Sequence, residues 1–168
     1  MNKYQYIIDE VNKIIEAYDT TDPISIAEGL GIIVKYSPIS AKGYYFANSK
    51  IKLITLQKNM ISALTRSVLA HEIGHDRLHS EKGQEVTFID DGINLNNCRT
   101  DLEANIFASV LLIRDDEIRD CIFIKRYDIY QIGAYFDVDP NLVALYLDKI
   151  ADFKDQLREI EYNLDFLE

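Results

Sequence analysis

Near the start of the chain, Tyr4, Ile7, Ile8, Val11, Ile14, Ile15 and Tyr18 recur at helical spacing, which predicts an amphipathic helix over about 4–18. Asp22-Pro23 then offers an N-cap and a first-turn proline, so a short helix is expected through Leu30, with Gly31 at its C′ position. The period changes after that. Ile32–Tyr36, Gly43–Ala47 and Ile51–Leu56 read as strands, the last two joined by Asn48-Ser49-Lys50. A second helical stripe follows: Leu64, Val68, His71, His75 and Leu78 stand at steps of four, three, four and three. The segment Glu81 to Arg99 is polar, carries Gly83, Gly92, Asn94, Asn96 and Asn97, and shows no helical stripe. It reads as a long irregular connection, and because it leaves the central helix it is expected to border a cleft. Helical spacing returns over Thr100–Leu112, again in Tyr127–Ile150, and in a polar amphipathic tail over Ala151–Glu168. The expected fold is α+β: a small N-terminal sheet packed on a mostly helical body. The 168 residues are expected to form a single domain, with a core over about 1–126 and a helical C-terminal region over 127–168.

The central stripe contains an anomaly, since two of its inward positions are histidines. His71-Glu72-Ile73-Gly74-His75 is an H-E-x-x-H motif. Residues four apart share one helix face about one turn apart, so two imidazoles there can hold one zinc while Glu72 takes a proton from water. A single such histidine reads as a core residue bonded to a carbonyl; two at this spacing around a glutamate point to a metal. His79 extends the series by four, but one straight helix cannot supply three ligands, as His71 and His79 stand about 12 Å apart along its axis. His79 therefore reads as a helix-end residue or a support for a ligand.

A third ligand must come from elsewhere. Glu103 shares a face with Phe107, Val110 and Leu111, and a carboxylate on an apolar face is costly unless paired or metal-bound. Thr100-x-x-Glu103 is also a capping box. Asp101, in line with Ala104, Ala108 and Leu112, is the rival. Periodicity leaves the two open.

Charge narrows the function further. The formal net charge is −10, the wrong sign for a nucleic-acid footprint. The pattern Ile129, Ile132, Gly133, Phe136, Val138, Leu142, Val143, Tyr146 and Leu147 resembles a helix-turn-helix. From Arg114 onward, however, seven Lys and Arg stand against fourteen Asp and Glu, so the pattern reads as packing and not as a phosphate-binding reader. Met1 leads into a polar helical segment without a signal-peptide pattern, and no apolar run is long enough to span a bilayer; a cytoplasmic protein is expected. Cys98 and Cys121 read as two reduced thiols.

The segments L-A-H-E-I-G-H-D-R-L-H at 69–79 and E-A-N-I-F-A-S-V-L-L at 103–112, with Asp22-Pro23, Ile26-Ala27, Leu30-Gly31-Ile32 and Gly43-Tyr44-Tyr45-Phe46 upstream, are similar to the ImmA/IrrE family of metallopeptidases. The resemblance covers about residues 1–150. It departs after Leu111-Leu112, where the family often has a proline and this chain has Ile113-Arg114. It implies a zinc site of His71, His75 and the glutamate of the E-A-N triplet, Glu103, with Glu72 as general base. It also implies a narrow substrate, a helix-turn-helix repressor of a phage or mobile element. Tyr44 and Tyr45 are candidates, by chain location, for stabilising the developing oxyanion. The rival expectation is a non-catalytic module that sequesters the regulator around a structural zinc. Glu72 weighs against that, because a structural site has no use for a general base.

Overall fold

The computed structural model describes residues 2–80, 85–91, 93, 98–153 and 156–157. Gly83, Gly92, Asn94, Asn96, Asn97 and most of the expected tail helix lie outside the described residues. Helix α1 (Gln5–Tyr18) buries Ile7, Val11 and Ile14, the middle of its predicted stripe. Helix α2 (Pro23–Gly29) begins as its caps dictate: the Asp22 carboxylate accepts from the Ser25 backbone N–H at 2.9 Å, and Pro23 occupies the first turn. Gly31 has a φ of +70°, a left-handed backbone that turns the chain from helix into sheet without the steric cost of a side chain.

Strands β1 (Ile32–Ser37), β2 (Gly43–Ala47), β3 (Lys52–Gln57) and β4 (Val86–Asp90) form one sheet in the order β1-β3-β2-β4. β1 pairs with β3 in parallel, and β2 lies antiparallel to both β3 and β4. The fourth strand corrects the expectation of an irregular segment over 81–99. Val86-Thr87-Phe88-Ile89 has the β-branched and aromatic content of a strand. Its polar flanks hide the pattern, and its stability comes from pairing with the edge of β2, a contact remote in sequence.

Helix α3 (Ser62–Leu78) is buried without interruption from Ser67 to Asp76. A one-sided stripe was expected; the helix is instead central, with the sheet against one side and helix α4 (Arg99–Leu112) against another. The α3–α4 crossing is close. A Cβ placed on Gly74 would fall 3.0 Å from the Ala104 Cα and 3.2 Å from the Phe107 Cβ. Glycine and alanine here let the two backbones approach as larger residues would not.

The chain continues through α5 (Asp115–Arg119), a π-helical turn (Asp120–Ile124), α6 (Ile129–Phe136) and α7 (Pro140–Lys149). Asp128 and Gln131 form a reciprocal capping box on α6, and Asp139 with Pro140 starts α7. Leu142 through Leu147 of α7 are all buried, and the helix packs on α4. The apolar positions of the helix-turn-helix-like pattern on α7 are thus packed into the core. Ser67 Oγ on α3 accepts from the Asp139 N–H at 2.8 Å and donates to the Ala63 carbonyl at 2.7 Å, tying α7 to the central helix. A continuous hydrophobic core runs from Tyr4 to Leu157. No described helix is long and apolar enough to cross a membrane. Both cysteines are free, Cys98 exposed and Cys121 buried.

Replacing Gly74 by valine forces α3 and α4 apart. The expected loss of unfolding free energy is about 1–3 kcal/mol, the range for overpacking. Chemical denaturation would check it; an unchanged midpoint and slope would contradict the close crossing.

Candidate metal centre

Sheet and central helix run in step. Gly43 and Tyr45 of β2 are both buried on the face toward α3. Two residues along a strand advance about 6.8 Å, and four along a helix about 6 Å. The pair 43 and 45 therefore meets the pair Glu72 and Asp76. A Cβ on Gly43 would fall 2.4 Å from Glu72 Oε1 and 2.7 Å from Val68 Cγ1, so the bare backbone of β2 makes room for the Glu72 carboxylate. The Tyr45 hydroxyl donates to Asp76 Oδ1 at 2.6 Å, and Lys52 Nζ of β3 lies 2.7 Å from the same oxygen. The Asp76 side chain is fully buried, and Lys52 supplies the charge it needs there. Burial and the Asp76 carboxylate push the Tyr45 hydroxyl well above its ordinary pKa, so it stays protonated and donating. Tyr45, a candidate for carbonyl stabilisation by chain location, is thus engaged in bracing sheet to helix. Tyr44 alternates to the other face of β2.

Both motif histidines are 1 % exposed. His71 Nδ1 lies 2.7 Å from Asn105 Oδ1. An amide oxygen only accepts, so His71 Nδ1 carries a proton, and in the neutral ring Nε2 then presents a lone pair. His75 Nδ1 lies 3.2 Å from His79 Nδ1, and the Nε2 atoms of His71 and His75 stand 3.0 Å apart. Burial, reinforced by the imidazoles of His71 and His79, holds His75 far below its ordinary pKa, at about 2. It is therefore neutral, the state a metal ligand requires. The Nε2 atoms of the two rings thus converge to 3.0 Å, and imidazole nitrogens so placed suit a cation.

The carboxylate that joins them is Asp101. One ligand atom each from His71, His75 and Asp101 lies within 4.8 Å of the others, and His75 Nε2 is 3.5 Å from Asp101 Oδ1. This is the one such group among the described residues. Asp101, at 24 % side-chain exposure, is its open side. Glu103, expected as the third ligand from the E-A-N resemblance, stands elsewhere. Its Oε2 meets His79 Nε2 at 3.1 Å and its Oε1 accepts from Arg99 Nε at 2.7 Å. The reason is helical phase. Asp101 and Asn105, one turn apart, share the face of α4 turned to the histidines, whereas Glu103 lies about 200° around the helix from Asp101. The Thr100-x-x-Glu103 capping box does not form; α4 starts at Arg99 after Cys98, without a side-chain cap. Burial raises the Glu103 pKa, but hydrogen bonds from Arg99, His79 and Tyr6 outweigh it and hold the carboxyl below its ordinary value.

Phe88 of β4 completes the surroundings. Its ring stacks on His75 with centroids 4.0 Å apart and planes 9° from parallel, covering one face of the imidazole with apolar surface. Sequence reasoning missed Phe88 together with its strand. It also passed over Gly43, although a glycine inside a strand marks close approach by another group. Asn105 stands in the E-A-N triplet, where the sequence attaches no role to it. Nothing local marked the Tyr45–Asp76–Lys52 bracing, which joins three elements.

The sequence profile of the IrrE N-terminal-like domain, a peptidase family, matches residues 27–147. The match spans α2 to α7 and includes the whole metal group, and the chain belongs to this metallopeptidase family. It is also similar to an uncharacterized immunity region protein of Bacillus phage phi105, 28% identical over 114 residues, which cover 67% of this chain and 71% of that protein.

If Asp101 closes the group, Asp101→Ala should reduce bound divalent metal well below one ion per chain, as His75→Ala should. Elemental analysis of the purified variants would check this; wild-type metal content in either would remove that residue from the site.

Proposed function

We propose that this protein is a zinc-dependent, site-specific endopeptidase of the cytoplasm whose substrate is a helix-turn-helix repressor of phage or mobile-element genes. The observation that carries the catalytic part is the pair of buried imidazoles with Nε2 atoms converging 3.0 Å apart beside Asp101. Two nitrogens and one carboxylate oxygen are the donor set of a catalytic zinc site, which leaves a position open for water and substrate. His71, His75 and Asp101 would hold the ion. When bound, zinc supplies a Lewis acid that polarises the scissile carbonyl and acidifies water.

The remaining chemistry belongs to the chain. Glu72, adjacent to His71 and fully buried, accepts the proton of the attacking water on its carboxylate and returns it to the leaving amine. Gly43 gives that carboxylate its room. Asn105 fixes the orientation of His71. Phe88 shields His75 from bulk water. The repressor as substrate is supported by the similarity to a phage immunity region protein and by the family resemblance.

Glu72→Gln should keep the metal and abolish cleavage, because the amide preserves shape but cannot take a proton. Co-expression with a candidate repressor, followed by its intact mass, gives the reading. Cleavage by wild type and not by Glu72→Gln supports the peptidase. A repressor left whole by both proteins yet released from its operator by both would establish a sequestering module instead. Gly43→Ala should retain metal and lower the cleavage rate on the order of 10²-fold, the cost of misplacing a catalytic group by about 1 Å. A rate within about twofold of wild type would show that the β2 backbone does not set the Glu72 position.

A further inference from the structure

We propose that Glu103 and His79 are positioning residues: together they form a directed hydrogen-bond chain that fixes the tautomer of His75 and aims its Nε2 lone pair into the metal group. The proposal rests on the metal reading given above. The chain reads Glu103 Oε2 to His79 Nε2 at 3.1 Å, then His79 Nδ1 to His75 Nδ1 at 3.2 Å. Its direction follows from the end group. A carboxylate only accepts, so His79 donates from Nε2. In the arrangement we propose, the His79 ring carries that one N–H, so its Nδ1 accepts and the donor is His75 Nδ1–H. His75 Nε2 is then left as the lone pair that faces His71 Nε2 at 3.0 Å. Each proton position follows from the one before it, and all of them follow from Glu103.

The two ligand histidines are thus oriented by different means. His71 meets its acceptor directly, because Asn105 lies on the face of α4 turned to α3. Among the described residues, His75 Nδ1 meets His79 and no amide or carboxylate oxygen; the carboxylate that serves it is on another side of α4, and His79 bridges the gap. His79 can do so because it caps α3, with φ −126° and ψ −8°. Its ring leaves the helical line and turns toward α4. Arg99 Nε donates to the second oxygen of Glu103 at 2.7 Å, which holds the carboxylate in place and ionised. This accounts for a partly buried carboxylate and a third histidine that the hydrolytic chemistry does not otherwise use.

The chain holds only three histidines, so long-range 15N–1H correlation on uniformly labelled protein reads every imidazole tautomer. In wild type, with zinc and without it, His71 and His75 should carry their proton on Nδ1 and His79 on Nε2. His75 protonated on Nε2, or His79 protonated on Nδ1, in the metal-free protein would overturn the chain. Glu103→Ala should release the His75 and His79 tautomers, leave His71 unchanged, and weaken zinc binding by about 10–100-fold while still reaching one zinc per chain at saturation. Glu103→Gln, whose amide oxygen still accepts, should restore most of that affinity. If Glu103→Ala takes up no zinc at saturation while Asp101→Ala still binds one, Glu103 is itself a ligand and the positioning role is wrong. Wild type that shows the expected tautomers but binds no zinc would support the hydrogen-bond chain and overturn the metal reading. A Glu103→Ala variant that fails to fold leaves the wild-type tautomers and Glu103→Gln to decide.

Discussion

The close crossing of α3 and α4 at Gly74 and Ala104 is the constraint on which the site depends. With a bare Cα on one helix and a methyl on the other, the axes approach until a Cβ added at position 74 would press into the Ala104 backbone at 3.0 Å. At that separation short side chains reach across. Asn105 meets His71 and Asp101 meets His75 without long, flexible stems. Short side chains lose little rotamer entropy on ordering, so the donor set is held by packing and not by restraint of mobile groups. A wider crossing would need longer residues on α4 and a looser site.

The second constraint is the sheet. Because a strand advances two residues in nearly the distance a helix advances four, β2 meets α3 twice in register. One meeting makes room, at Gly43 over Glu72. The other makes a bond, at Tyr45 and Asp76, with Lys52 compensating the buried charge. These contacts fix the rotation of α3 beneath the sheet, and with it the direction of Glu72. β4 then extends the sheet and lays Phe88 on His75. Helix α3 is gripped by sheet on one side and α4 on the other. This explains why ten consecutive residues of it, from Ser67 to Asp76, are buried, including four that carry ionisable groups.

Burial of that many polar groups is tolerable only when each is directed to a partner or a ligand. His71 faces Asn105, His75 faces His79, Asp76 faces Tyr45 and Lys52, and Ser67 faces the start of α7. The two Nε2 atoms converge between α3 and α4 in another way, toward each other and toward Asp101. Two buried imidazole nitrogens converging beside a carboxylate form a group that could hold a cation, and no single motif residue shows that convergence.

The sequence by itself determined most of the elements and the residue types that could carry the chemistry. Helical spacing located α1, α3 and α4; the Asp22-Pro23 and Gly31 signals bounded α2; and H-E-x-x-H put two imidazoles and a carboxylate on one helix turn, because that depends on local spacing alone. What it left open was everything that depends on which side of an element meets which neighbour. Asp101 and Glu103 are two residues apart, and only the rotation of α4 against α3 decides that the first faces the histidines and the second faces His79. The strand at Val86–Asp90 owes its existence to the edge of β2, and the acidic α6–α7 pattern owes its burial to α4 and α3. In each case the deciding energy is a contact between residues distant in the chain. Periodicity reports which face of an element is apolar, but carries no information about what that face will meet.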